Sequence, residues 1–396
     1  MNSISLTPPI STDFLKNTQE QPLNNIGAAF DCFVFKMTIC KKNCFFKFAK
    51  NMLMARKYLF TLLLAMLTLV SYAEQLYINV RTGNDTNPGT RLQPLKTFQE
   101  AAKRVNANNK PEATTIVFSE GVYPLTETVL FSNNKYSLEN RLVIRAEIMP
   151  DDPDWSPQRM PILAMIVPTI PNADGEEAKG IEIEVSHVTI EGLRFSGGPE
   201  YYYIDGKHNR RSYPVWRDGK NLDDLLVTQC LFTGDVDLLP VRVAVLANGH
   251  GFVLDHCVFY HCQNPVVFGS AEGGPSLHNA MRYSLVYGAY YSGVWTTQST
   301  ADDFEFHHNI IADSGTGWMR DGDHHFSIHD CILTGNTYPT GNGNEGKRKP
   351  NPDFLQMENV QTTGTIEIEK NQSKKNYLQL KEGSFGSTVK AGLFKK

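Results

Sequence analysis

The chain has 396 residues, 41% of them hydrophobic, and a formal net charge of −4. That is ample apolar material for a large core and excludes a disordered chain. The charge balance is far from the strongly basic surface that nucleic-acid binding requires, so no nucleic-acid partner is expected.

The first strong local signal is a secretory leader. Arg56 and Lys57 precede YLFTLLLAMLTLV (58–70), and SYA follows at 71–73. A basic start, an apolar run short for a bilayer and small residues at the −3 and −1 positions predict a signal peptide over 52–73. Cleavage after Ala73 leaves no cysteine at the new terminus, so no lipid anchor is expected. Met52 or Met54 is the expected start, and 1–51 reads as an upstream extension of the reading frame. The mature product is expected to be secreted or periplasmic, monomeric and free of membrane-embedded segments.

Four of the seven cysteines lie beyond the leader, at Cys230, Cys257, Cys262 and Cys331. They are few for a disulfide-built domain, and no C-x-x-C pair suggests a thiolate zinc site. Buried structural thiols are the expected state.

The mature chain opens with LYINVRTGNDTNPGTRLQPLKTFQEAAKRV (76–105). A short β run leads into an Asn/Asp/Gly/Pro turn cluster and then a predicted helix over 97–105. From there to 336 the chain reads as short strands punctuated by Gly, Asn and Asp. These strands repeat: LVTQCLFTG, VLDHCVFYH, AMRYSLVYG, EFHHNIIAD and SIHDCILTG align on Cys230, Cys257, Ser284, Asn309 and Cys331, spaced by 27, 27, 25 and 22 residues. Apolar residues recur three before the aligned position (Val227, Leu254, Met281, Phe306, Ile328) and two after it (Phe232, Phe259, Val286, Ile311, Leu333). Each unit is too small to bury its own face, so the units must stack. A period in the twenties with no helix per unit predicts an all-β solenoid, a parallel β-helix.

The N-terminal segment, with its G-x-D-x-x-P-G-T turn at 83–90, resembles that of secreted right-handed β-helix proteins of the pectate-lyase-like superfamily. In those proteins a strand, this turn and a capping helix close one end of the solenoid. NPDFLQ (351–356) and NYLQLKEGSFGSTVKAG (376–392) resemble their closing segment. The resemblance implies a single right-handed parallel β-helix over 74–336, an N-terminal cap helix, and a closing segment over 337–396. It also implies a substrate groove on one parallel sheet. It does not fix activity, because this superfold hosts lyases, hydrolases and non-enzymes.

Stacking turns each repeat position into a ladder. The position two before the alignment point reads Thr228, Asp255, Arg282, His307, His329, and alternation points it outward. It serves either as a row of acid and base groups or as a mutually paired surface ladder. The next strand of each coil, in PVVFGS (265–270), GVWTTQ (293–298) and GWMRDG (317–322), corresponds to the groove sheet. There Val267, Trp295 and Met319 should face outward in one row, and Gly269, Thr297 and Asp321 in the next. An exposed Trp295 suits stacking on a sugar ring.

MRDGDHHF (319–326) continues that strand into the next coil. Asp321 and Asp323 are expected either to bind Ca2+ or to act as acid and base. Arg320 is expected to neutralise a uronate carboxylate or to serve as base. His324 and His325 are neighbours on an extended chain and face opposite sides, which argues against a metal pair. The insertion at 198–221, with Lys207, Arg210, Arg211, Trp216, Arg217 and Lys220, combines aromatic faces and guanidinium forks suited to an acidic polysaccharide. Asp302, Asp303 and His250 invite comparison with polygalacturonase-type glycosidases, although His250 precedes the aspartates, unlike the order in that family.

These readings converge on an exported carbohydrate-active protein, with polysaccharide lyase chemistry on a uronate-containing glycan foremost. The expected catalytic set is Arg320, Asp321, Asp323, His324 and His307, with Trp295, Thr297, Arg282, Arg210, Arg211 and Trp216 binding substrate. A hydrolase using Asp302, Asp303 or Asp321 and a non-catalytic glycan-binding solenoid are the alternatives.

Overall fold

The computed structural model describes residues 73–395 except 168–169, 173–174, 199–209, 218, 220, 270–273, 344–346 and 350–352, together with Met52, Met54, Arg56 and Lys57. The expected extension over 1–51 and nearly all of the expected signal peptide lie outside the described residues. Among the described residues, no helix is long and apolar enough to cross a membrane.

Strands of mostly three to five residues, separated by bends, wind into three sheets of ten, eight and ten strands. Each regular coil contributes one strand to each sheet. Phe252–Asp255 belongs to sheet A, Val258–Tyr260 to sheet B and Asn264–Phe268 to sheet C. Neighbouring coils pair in parallel; among the described strands, antiparallel pairs form two hairpins on sheet C, and two isolated antiparallel bridges lie outside the strands. The result is a right-handed parallel β-helix, the sense in which parallel crossovers pack back onto their own sheet.

The register of the coils reproduces the repeat alignment. Val227, Leu254, Met281, Phe306 and Ile328 pair in sequence along sheet A. Phe232, Phe259, Val286, Ile311 and Leu333 do so along sheet B. Phe195, Phe232 and Phe259 stack with centroids 4.8 and 4.9 Å apart, the interstrand spacing itself. Side chains of the aligned column link successive coils: Ser284 Oγ accepts from Cys257 N, and Asn309 Oδ1 from Ser284 N. The four cysteines are free and buried. Burial pushes the Cys230 and Cys331 thiols up to about 12, so they stay protonated.

The bend from sheet A to sheet B is made by one left-handed residue per coil. Gln229, His256, Tyr283, His308, Asp330 and Asn359 all have φ between 48° and 54°. Asn, Asp and His tolerate this region best, and for other side chains it costs about 1–2 kcal/mol. The stacked coils repay that cost through the ladder on either side.

Helix α1 (Phe98–Ala107) caps the N-terminal end. Thr97 Oγ1 accepts from Glu100 N, and Phe98, Ala101, Ala102 and Val105 enter the core. Asp85 in the predicted turn accepts from Lys96 N and Thr97 N, and Arg104 reaches back to the Asp85 and Asn87 carbonyls. The turn motif thus fixes the helix across the coil end.

The solenoid runs past residue 336, through Tyr338–Asn342 on sheet C and Leu355–Glu358 on sheet A. The chain then folds back over the outer face of sheet B. Leu231, Val258, Leu285, Ile310 and Ile332 form an outer column there, packed beneath Ile366, Ile368, Leu378 and Leu393. Gln229 Nε2 donates to Leu393 O, and Gly392 N to Tyr283 O, tying this cover to the A–B bends.

Candidate functional site

Sheet C presents the most developed outward surface. Val215, Val245, Val266, Val294 and Trp318 point into the interior core, so alternation turns their neighbours outward. Trp216, Leu246, Val267, Trp295, Met319 and Gly341 are in register along this outer face, as the proposed row of Val267, Trp295 and Met319 requires. Tyr213, Val243, Val267, Trp216, Leu246 and Trp295 form an apolar cluster separate from the main core. Trp216 and Trp295 are half-buried and stand three coils apart, roughly 14 Å.

Each tryptophan has polar company. The Lys179 ammonium sits 4.5 Å above the Trp216 ring and pairs with Glu182 at 2.6 Å. Tyr213 meets Trp216 edge-on at 4.6 Å. Trp295 Nε1 donates to Asp321 Oδ2 at 2.9 Å, and Tyr291 lies 5.8 Å from the indole. Asp321 is only 8% exposed, held where Asp321 N donates to Thr296 O. Gly343 lets the following coil lie against this pair, since a Cβ there would fall 2.8 Å from Trp295 Cζ2.

Of the other expected site residues, few reach this surface. Arg320 is a correction: it shares an inward row with Phe268 and Thr296. Its guanidinium lies 4.3 Å over the Phe354 ring and donates to His324 O at 2.8 Å. A buried cation facing the core is withdrawn from any groove ligand. Thr297 is also displaced, because its hydroxyl donates to Phe268 O and shares a bond with Ser299 Oγ, closing the bend instead of facing the groove.

His324 bonds Asp302 through Nδ1 at 2.8 Å and Gln298 O through Nε2 at 3.0 Å, so both ring nitrogens serve the preceding coil. Asp323 is exposed beyond the left-handed Gly322. Ca2+ fits the expected pair poorly. Asp321 commits one oxygen to the Trp295 indole and is almost fully covered, whereas a hard cation needs six to eight converging oxygens. Asp303 pairs with His278 at 2.8 Å, and His250 Nδ1 accepts from Leu277 N. The two aspartates of the glycosidase comparison are thus spent on separate histidines.

Arg282 and His307 lie at the far end of sheet A, roughly 10 Å or more along the strand from the Asp321 turn. The expected catalytic set therefore does not converge. Arg282 pairs with Asp255 at 3.1 Å, and His307 stacks on His329 at 5.1 Å, as a mutually paired ladder would. Thr228 and Asp255 in this row are buried, and Lys395 pairs with Asp255 at 3.4 Å. Burial lowers the His307 pKa, and the charges of His308, His329 and Arg282 lower it further. The backbones of Arg210 and Arg211 pair with Glu176 and Glu177 on sheet C. Their side chains, with most of the insertion including Lys207 and Lys220, lie outside the described residues. Arg217 faces the interior, fully buried, and burial brings its pKa down to about 9.

Lys179, Glu182, Tyr213 and Tyr291 escaped the sequence reading. Lys179 and Glu182 come from one strand, Gly175–Ile183, before the recognised repeats, and only its register with the strand of Trp216 reveals them. His308, Asp330 and Asn359 were missed as well. Their spacing of 22 from His308 to Asp330 repeats that of Asn309 to Cys331 one residue earlier, a signal present in the alignment.

No family model and no curated protein match this chain. Among solved structures it is similar to a GH136 lacto-N-biosidase from Eubacterium ramulus, at 9% identity over 76% of this chain and 69% of that one, with a TM-score of 0.42. A glycoside hydrolase matches at 9% identity over 78% and 99% of the two chains, with a TM-score of 0.40. A rhamnogalacturonan lyase matches at 11% identity over 81% and 100%, with a TM-score of 0.34. Likenesses this distant assign no activity. The expected right-handed parallel β-helix is carried by the strand topology itself.

Proposed function

We propose that this is an exported carbohydrate-active β-helix protein that binds a glycan lengthwise along the outer face of sheet C. The observation that carries this reading is the single register column holding two half-buried tryptophans three coils apart. Indole faces match the axial C–H bonds of sugar rings, and the span between the two suits a short oligosaccharide. The Lys179 ammonium over the Trp216 ring favours a glycan that carries acidic groups.

Asp321 favours a second, catalytic reading. It is the one member of the expected catalytic set placed beside the platform, bonded to Trp295. In this reading the Asp321 carboxylate, now covered and bonded to the Trp295 indole, is uncovered when a glycan displaces that bond; it then takes the C5 proton next to a uronate carboxylate as the C4–O glycosidic bond breaks in a β-elimination. Arg320 and His307, facing the core and a different corner, have no part in that step.

The test is a panel of acidic and neutral polysaccharides, read by calorimetry and by absorbance in the unsaturated-uronate band. Binding that weakens at least ~10-fold in Trp216→Ala and Trp295→Ala supports the proposal. Absorbance that disappears in Asp321→Asn adds the lyase step. New reducing ends without that absorbance make it a hydrolase. No binding to any glycan, or binding indifferent to both tryptophans, defeats the reading.

A further inference from the structure

The A–B bend brings together four side chains that no groove function uses. His307 ends one coil's sheet A strand and His329 the next, with His308 and Asp330 at the bends that follow; His307 and His329 are register partners. The left-handed conformation of His308 and Asp330 swings these residues to the same side as their neighbours, so adjacent residues converge instead of alternating. His329 Nδ1 and Asp330 Oδ2 are 2.8 Å apart, and His308 Nε2 lies 4.0 Å from the same oxygen. One donor atom from each of His308, His329 and Asp330 lies within 4.8 Å of the others.

We propose that His308, His329 and Asp330 form a binding site for a divalent transition-metal ion of the zinc class. Two imidazoles and a carboxylate are the donor set such ions take, at about 2.0–2.2 Å. Around such an ion, donors stand about 3.3 Å apart, a value bracketed by the separations here. The surrounding bonds prepare the donors. His307 Nδ1 lies 3.1 Å from His308 Nδ1, and a bond there leaves His308 Nε2 to face the metal. Asn359, at the same bend one coil on, donates through Nδ2 to Asp330 Oδ1 and leaves Oδ2 for the metal. Such outer partners orient ligands in established metal sites. His308, His329 and Asp330 are all solvent-accessible, so an ion can enter and a water can complete the shell. The ligands span two coils, so the ion would also clip those coils together.

The probe is Zn2+ itself, titrated calorimetrically into untagged, chelator-stripped full chain, with Co2+ visible absorption reporting coordination. Cys32, Cys40 and Cys44 upstream can also take zinc, so the signal is the difference between the parent chain and its variants. We expect His308→Ala and Asp330→Asn each to lose one equivalent of tight binding, a fall of at least ~100-fold at that site. Asn359→Ala should lose ~10-fold or more. His278→Ala, which removes an exposed histidine paired with Asp303, should bind as the parent does. Zn2+ should raise the Tm of the parent and not that of Asp330→Asn. Circular dichroism checks folding, and if one variant misfolds the other two decide. Equal zinc binding by parent and folded variants, or no saturable binding by the parent, overturns the site.

Discussion

The outer faces of sheets B and C each carry an apolar column, and the molecule treats them oppositely. On sheet B, Leu231, Val258, Leu285, Ile310 and Ile332 are at most 2% exposed beneath the returning C-terminal segment. On sheet C, Trp216, Leu246 and Trp295 stay half-buried, and charged or hydroxyl-bearing groups flank the indoles. Aliphatic side chains covered by the chain itself serve stability. Aromatic ones left partly open, each with a polar partner, are suited to a ligand that is apolar on its faces and polar at its rim.

The largest expected effect lies under the cover. Ile310→Ala should cost about 2–5 kcal/mol in urea unfolding, and a loss below about 1 kcal/mol would break the claim that this column is core. On the open face the same kind of truncation should separate stability from binding. Trp295→Ala is expected to destabilise less than Ile310→Ala, yet weaken glycan binding by about 1.4 kcal/mol or more, a tenfold change.

Acid should loosen the cover selectively. Burial alone would raise the Asp255 carboxyl pKa, but the bond and charge from His256, with Lys395 and Arg282, hold it well below the carboxylate range. A group depressed in the folded state contributes fully above its unfolded pKa of about 3.9 and loses that contribution as pH falls through the folded value. Below about pH 4, hydrogen exchange near Lys395 should therefore speed up before exchange in the strands of sheet C does. Asp255→Asn should remove this difference, and an unchanged pH profile in that variant would refute the coupling. The smallest effect concerns the thiols. Iodoacetamide should leave Cys230, Cys257, Cys262 and Cys331 unmodified in the native protein and label them only on unfolding.

The coil repeat was legible because strand alternation and bend residues are local. Val227, Phe232 and their equivalents betray the period without any partner in view. The cap helix was legible too, since Thr97, Asp85 and Arg104 act within one short stretch. The site was legible only in part. Trp295 and Asp321 were both expected at the groove, and the fold joins them. Arg320 stands between Met319 and Asp321, both expected to face outward, so strand alternation by itself turns its side chain inward, in register with Thr296. His307 was misread because its strand places it at the opposite end of sheet A from the turn that holds Asp321.

By itself, the sequence determined a stacked β solenoid, its register and its N-terminal cap, because each follows from spacing along one coil and its neighbour. Only the tertiary structure decided which outer face is covered. The segment that covers sheet B returns from beyond residue 360, and nothing in Leu285 or Ile310 announces it. The structure likewise decided that His308, His329 and Asp330 meet. Two consecutive residues reach one point only when a left-handed bend cancels their alternation, and residues 22 apart touch only when coils stack at about 4.8 Å.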